Sequence, residues 1–337
     1  MRALHVLDDG AVPGAAQIPH DKRGRLPRYA LRVSVLEQCT YACPYCAPGT
    51  VAAPTEKARW LSAAHYARLA KLFRGRGVTK VRFTGGEPLL RQDIVAIVHA
   101  WKEAMPDADL ALTTNGQRLA AHLPDLARAG LRRVTVHIDT LRPDRYRALM
   151  GDAEPAAILA AAVAARALLA EVKLNVVIQR DKNHDEIGDF LALSQRTGIE
   201  VRFIELMSTG SADDYARSVF MAGQDIVALA HGAPLPRRHP SDPAALYQTS
   251  QGVSFGVIAS DTEPFCAACD RLRLTADGRL RGCLYQSGGI PLGAALAAGA
   301  SDETLQALMD TALDDKRSWH PLVAPHRVPF SMADVGG

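Results

Sequence analysis

The chain's six cysteines fall into two sets of three: Cys39, Cys43 and Cys46 in CTYACPYC, and Cys266, Cys269 and Cys283 in FCAACDRLRLTADGRLRGCL. Six are few for a disulfide scaffold in 337 residues, and clustered thiols in a reducing compartment bind metal more readily than they pair. Zinc is one reading, but structural zinc usually takes four protein ligands, commonly as two pairs. Neither set has a fourth: His65, beyond the first, falls in an expected helix, and the second lacks another C-x2-C pair. A cubane iron–sulfur cluster normally takes four thiolates. Held by three, it keeps one iron open to a small molecule, and that open position is the chemistry each triplet offers.

Other residues could serve bound molecules. Arg271 and Arg273 lie two apart on an expected strand and so share a face. Paired guanidiniums suit phosphate or carboxylate, although a solvated strand with surface arginines reads the same way. The glycines of Thr84-Gly85-Gly86-Glu87-Pro88 would let main chain approach a ligand closely; alone, the segment is an ordinary turn. Arg32, Lys80, Arg82 and Lys173 are basic residues on strands whose alternate side chains would face a barrel interior. A cation turned inward without an anion is costly. Glu87, Asp139 or Glu205 could neutralise one; four together favour a polyanionic ligand.

The elements that must position these groups follow from periodicity. Strands are expected at Ala30–Leu36, Lys80–Thr84, Asp109–Thr114, Arg133–Ile138, Lys173–Gln179 and Glu200–Leu206. Helices are expected at Ser62–Arg74, Ile94–Ala104, Leu119–Ala129, Ala156–Leu169 and Asp185–Arg196. Six strands separated by helices predict an α/β fold with a parallel sheet and right-handed crossovers, either doubly wound or an incomplete (β/α)6 TIM-like barrel. Both place ligands at the C-terminal strand ends, where CTYACPYC, TGGEP, TTNG, IDT and ELMSTG all fall; that regularity predicts one shared site. After about Gly210 the period changes to short strands at Leu246–Thr249, Ser254–Ala259, Leu272–Thr275 and Arg279–Leu284, then helix at Ala294–Leu313. The expected division is an arm at 1–29, a barrel at 30–210 and a smaller auxiliary-cluster domain at 211–337.

Composition excludes several alternatives. With 48% hydrophobic residues the chain can bury a full core, and a formal charge of +3 with scattered arginines gives no ground for a nucleic-acid or membrane-surface partner. No stretch approaches the roughly 20 apolar residues that cross a bilayer, and MRALHVLDDG lacks the apolar core of a secretory signal. A soluble cytoplasmic protein is expected.

The C-x3-C-x2-C spacing after a first strand, an aromatic at Tyr45 and GGEP after a second strand resemble the radical S-adenosylmethionine superfamily. The resemblance narrows with LRVSV, KVRFTGGEPLLR, TTNG, DTLRPDRYRALMG, VKLNVVIQR, VRFIELM, the second triplet with RLRL, and the terminal Gly336-Gly337. Together these resemble the GTP 3′,8-cyclase (MoaA) family of molybdenum-cofactor biosynthesis, over nearly the full length. That resemblance implies two 4Fe-4S clusters, each held by three cysteines. The first cleaves S-adenosylmethionine, and the second binds the guanine of GTP. It further implies that hydrogen is removed from ribose C3′, C3′ joins C8, and 3′,8-cyclo-7,8-dihydro-GTP results. Carried over residue by residue, it places the cofactor at Tyr45, Gly85, Gly86, Glu87, His137 and Met207. GTP falls at Arg32, Lys80, Arg82, Thr113, Lys173, Arg271, Leu272 and Arg273. Catalytic roles fall to Arg271, Arg273 and the tail glycines Gly336 and Gly337, although terminal glycines are commonly without function. The implied partners are a flavodoxin- or ferredoxin-like electron donor and a downstream cyclic pyranopterin monophosphate synthase, with a homodimer as the candidate assembly.

The chain departs from the family at His137 (usually serine), Asp270 (asparagine), Ala47 (methionine) and Ser208 (proline). An imidazole at 137 either hydrogen-bonds the cofactor or fills space. A charge at Asp270 would alter the second cluster's potential or its ligand. Two other functions are therefore weighed: a divergent enzyme acting on another nucleotide or a peptide, and a non-enzymatic redox-sensing iron or zinc protein. The basic strand residues weigh against a peptide, and a sensor has no need of GGEP.

Overall fold

The computed structural model describes residues 27–46, 60–207, 213–286 and 288–316. Ala47, Ser208, the tail glycines Gly336 and Gly337, and nearly all of the expected N-terminal arm lie outside them.

Strands β1 (Tyr29–Ser34), β2 (Val78–Thr84), β3 (Asp109–Thr114), β4 (Arg133–His137), β5 (Glu171–Ile178) and β6 (Glu200–Glu205) alternate with helices. These are α1 (Ala63–Arg74), α2 (Ile94–Ala104), α3 (Leu119–Arg128), α4 (Pro143–Leu149), α5 (Pro155–Ala165) and α6 (Ile187–Thr197). Each element of the first half appears within a few residues of its expected bounds. Ser62 is the N-cap of α1 rather than its first residue, because its hydroxyl accepts from His65 N. Helix α4 was not expected, since its seven residues are too few to show a period.

Neighbouring strands run β1-β2-β3-β4-β5-β6, all parallel. A doubly wound sheet reverses its order at a switch point. Here every crossover advances the same way, so the right-handed rule puts the helices on one face and turns the other inward. That order selects the incomplete barrel. The helix-facing positions are apolar: Leu31, Val33, Val81, Phe83, Leu110, Leu112, Val134, Val136, Leu174, Val176, Val201 and Phe203 are all buried in one core. The opposite face carries Arg32, Arg82, Thr113, Thr135, Lys173, Asn175 and Arg202. In an ordinary (β/α)8 barrel that interior is filled by branched apolar side chains.

Helices α7 (Asp213–Val219) and α8 (Gly223–Leu229) follow, then β7 (Ala233–Leu235), β8 (Ala245–Gln248), β9 (Ser254–Ile258), β10 (Arg271–Leu274), β11 (Arg279–Arg281), β12 (Ile290–Pro291), α9 (Leu292–Ala297) and α10 (Asp302–Asp315). The helix expected at Ala294–Leu313 is thus two helices, broken at Gly299. The described residues after 210 form no sheet of their own. They extend the barrel sheet at both edges, giving the order β12-β11-β10-β1-β2-β3-β4-β5-β6-β9-β8-β7. Strand β10 lies parallel to β1 and β9 parallel to β6. The buried Glu205 ties β6 to this second part by accepting from Gly223 N, Asp261 N, Thr262 N and the Thr262 hydroxyl. No helix among the described residues is long and apolar enough to cross a membrane.

Candidate active site

Beyond β1 the chain crosses the C-terminal end of the sheet as the loop Val35–Cys46. The GGEP segment leaving β2 runs alongside it: Val35 N donates to Thr84 O (2.9 Å), Gly86 N to Leu36 O (2.9 Å) and Glu87 N to Gln38 O (2.7 Å). A Cβ on Gly85, whose φ is +152°, would sit 2.3 Å from Leu36 O, and one on Gly86 would sit 2.1 Å from Gln38 O. The glycines therefore admit the close approach of the cysteine loop to the end of β2. The buried Glu87 carboxylate accepts from Leu89 N (2.9 Å), Thr114 Oγ1 (2.7 Å) and Asn115 N (2.7 Å). Burial raises its pKa against those donors. With its side chain spent on the ends of β2 and β3, Glu87 offers a bound molecule main chain.

Three supports hold the loop. Asn115 Nδ2 donates to Thr40 Oγ1 (2.9 Å), Tyr146 of α4 donates to the Tyr41 hydroxyl (2.6 Å), and Ala42 N donates to Met150 O (3.2 Å). At the last turn Tyr45 donates to Asp139 Oδ2 (2.5 Å), and its hydroxyl lies 2.6 Å from His137 Nε2. Asp139, fully buried, also accepts from Val177 N. Burial pulls the His137 pKa down, but Asp139 outweighs it and the net shift is upward. His137 thus grips the cysteine loop through Tyr45; it does not merely fill space. Burial raises the Cys39 and Cys43 thiols, and Asp139, Cys46 and Cys39 push Cys43 further up.

The second triplet lies at the opposite end of the sheet from the first. Cys266 and Cys269 precede β10, and β10 is parallel to β1, so they sit at the N-terminal end of that strand pair. Cys283 reaches the same end because β11 returns antiparallel, Arg281 facing Arg273. The two triplets are therefore separated by the length of β1, roughly 20 Å at about 3.3 Å per residue. The segments after β1, β2 and β3 meet at the C-terminal strand ends as expected, and the second triplet adds thiols at the other end of the same interior face. Burial, then Cys269 and Cys283, pushes Cys266 up to about 12. Burial also acts on Cys269, but Lys316 and Arg271 overcome it and hold that thiol low. Asp270 accepts from Ser241 Oγ (2.9 Å), which is how its carboxylate is accommodated.

Between the triplets, register sets Arg281, Arg273, Arg32 and Arg82 side by side across β11, β10, β1 and β2. Burial lowers the Arg32 pKa, and Arg273, Arg271 and Arg82 lower it further. Arg82, depressed to about 10 by burial and then by Arg202 and Arg133, donates to Thr113 Oγ1 (3.2 Å) and Thr135 Oγ1 (3.0 Å). Arg273 also falls to about 10, by burial and Arg271. Arg271 stacks over Phe265 (4.6 Å) and donates to Ser241 O. Among the described residues no carboxylate pairs with Arg32, Arg82 or Arg271.

The β5–β6 side differs. Lys173 bridges Glu171 (2.8 Å) and Glu200 (3.0 Å), and Arg202, Arg133 and Arg238 share the same two carboxylates. Lys173 is thus already neutralised and needs no ligand anion. Glu171 stands two residues before it on the same face, a signal the sequence carried. Lys80 is exposed at the N-terminal mouth, level with Asp109. Leu272 is fully buried in the apolar core, opposite Arg271 and Arg273, so a ligand would meet its main chain alone. Met207 is half-buried just past β6.

Both triplets fit an iron–sulfur group by donor chemistry: three sulfurs within each other's field, and no carboxylate or imidazole completing a set. Among the described residues no three Cys, His, Asp or Glu side chains close on a point one ion would occupy. A three-cysteine loop at the end of the first strand of an incomplete barrel defines the radical S-adenosylmethionine class, whose superfamily profile matches residues 33–194. A second profile, Molybdenum Cofactor Synthesis C, matches residues 199–322. The chain is 40% identical over 296 residues to GTP 3′,8-cyclase 3 of Mycobacterium bovis, covering 85% of this chain and 78% of the relative. It is 37% identical over 314 residues to GTP 3′,8-cyclase of Moorella thermoacetica, covering 91% and 97%. The fold matches Streptococcus suis SuiB bound to S-adenosylmethionine, with a TM-score of 0.61 at 15% identity, covering 91% of this chain and 69% of that one. The chain belongs to the GTP 3′,8-cyclase family of radical S-adenosylmethionine enzymes.

Proposed function

We propose that the chain converts GTP to 3′,8-cyclo-7,8-dihydro-GTP, the first step of molybdenum-cofactor biosynthesis. The supporting observation is the file Arg273–Arg32–Arg82, aligned by register: desolvation and neighbouring arginines lower all three guanidiniums, and among the described residues Arg32 and Arg82 have no carboxylate partner. A bound anion would offset that repulsion, and a triphosphate supplies several charges.

Cys39, Cys43 and Cys46 would hold one 4Fe-4S cluster, and Cys266, Cys269 and Cys283 a second. When bound there, the first cluster would supply, with S-adenosylmethionine, the hydrogen-abstracting chemistry. The chain's part is orientation. The loop end at Tyr45, the main chain of Gly85, Gly86 and Glu87, and Met207 border the cofactor's place, while His137 fixes Tyr45. Arg32, Arg82, Arg271 and Arg273 fix the phosphates through forked donors. Thr113 orients Arg82, and the main chain at Leu272 lines the same wall. Lys173 lies on the interior face, Lys80 is exposed at the mouth, and the tail glycines Gly336 and Gly337 complete the site. The apolar core behind the sheet closes that side of the interior to water. A flavodoxin- or ferredoxin-like protein delivers electrons, the product passes to a cyclic pyranopterin monophosphate synthase, and the protein works in the cytoplasm, with a homodimer as its candidate assembly.

Anaerobic incubation with reductant, S-adenosylmethionine and GTP tests this. Equal formation of 5′-deoxyadenosine and the cyclised nucleotide is expected. Deoxyadenosine without nucleotide product, while another nucleotide in a parallel panel is consumed, would replace GTP as the substrate.

A further inference from the structure

Lys316, the C-cap of α10, is assigned no role by the sequence motifs. Its ammonium donates to Arg271 O (2.8 Å) and Gly282 O (2.9 Å) and lies 3.9 Å from Cys269 Sγ. A lysine has three donors, and all three are spent here. The acceptors belong to the two segments bearing the second triplet: Arg271 is two residues past Cys269, and Gly282 immediately precedes Cys283. Gly282 suits this approach, since a Cβ there would lie 3.0 Å from Lys316 Cα and 3.2 Å from Lys316 Cβ. The contact is therefore built from both sides, by a side chain that reaches and a glycine that makes room.

We propose that Lys316 is the positioning residue of the second triplet: it clamps the Cys269 and Cys283 segments at one spacing and sets a positive charge against a ligand sulfur. This rests on reading Cys266, Cys269 and Cys283 as an iron–sulfur site. A fixed cation near such a site stabilises its reduced form, and a donor to a ligand sulfur acts in the same direction. Loss of Lys316 should lower the midpoint potential of the second centre and speed its loss of iron. The first centre, at the far end of β1, should keep both properties.

The test compares anaerobically reconstituted wild-type protein with Lys316→Met and Lys316→Arg, by iron content, chelator-driven iron release and an EPR-monitored redox titration. Wild type is expected to hold about eight irons. Lys316→Met should shift one of the two potentials downward and release about half its iron faster, with the arginine variant recovering most of the shift. Should the methionine variant fail to fold, Lys316→Gln, which keeps a donor and loses the charge, reads the same potential. Wild-type protein with about four irons, unchanged in Cys283→Ala, would overturn the two-centre reading itself. Two centres with potentials and iron release unaltered in the methionine or glutamine variant would overturn the role of Lys316 alone.

Discussion

The clustered guanidiniums are where function and stability pull apart at single residues. Arg32 sits against Arg273, Arg271 and Arg82 with no carboxylate partner among the described residues, so its burial costs the ligand-free protein free energy. Replacing such a charge by an apolar side chain of similar length removes that cost. Arg32→Met should stabilise the ligand-free protein by ~1 kcal/mol in thermal or denaturant unfolding. The same change should weaken GTP binding by roughly 1.5–3 kcal/mol, the worth of a charge-assisted contact. Opposite signs in the two measurements mark a residue retained for its ligand. A variant destabilised without GTP and unchanged in affinity would make Arg32 structural. The pattern of alternate basic residues was legible in the sequence. Which of them are neutralised was not, because that depends on the carboxylates that register brings opposite: Glu171 and Glu200 reach Lys173, and none reaches Arg32.

Among elements, the decisive contact joins the end of β2 to the loop after β1. Gly86 is so near Gln38 O that any side chain must displace the cysteine loop. Gly86→Ala should therefore cost about 1–3 kcal/mol of stability and lower the iron retained by the first triplet. Iron content after anaerobic reconstitution checks this before any cofactor is added. Full iron loading with weakened S-adenosylmethionine binding would return the glycine to the ligand-facing role read from its sequence. The motif was plain in the chain, but its direction was not: a glycine announces close approach without saying to what. The trio Tyr45, His137 and Asp139 has the same origin, with β4 supplying an imidazole and a carboxylate to a loop far off in sequence.

At the scale of the molecule, Glu200 links β5, β6 and the segment carrying Arg238 into the sheet's second half. Burial raises its pKa, but Arg202 and Lys173 prevail and hold it at about 2, below the ordinary 4.5. The unfolded chain therefore binds more protons than the native one between about pH 4.5 and 2. Stability from this group is complete above that window and disappears as pH falls through it, on the order of 3 kcal/mol. Glu200→Gln should flatten the acid limb of a denaturation–pH profile; an unchanged limb would mean the charge network contributes nothing to holding the halves together.

Local order in the chain determined the two thiol triplets, the alternation of strand and helix, and the apolar face of each strand, because spacing and periodicity are properties of neighbouring residues. Tertiary structure decided what lies beside what. Strand β10 arrives parallel to β1 from about 240 residues downstream, and that one pairing carries the second triplet to the opposite end of the strand from the first. It also completes the arginine file and leaves Lys316 within reach of Cys269. No periodicity encodes such a partner. It follows from the side chains that two distant segments bury together.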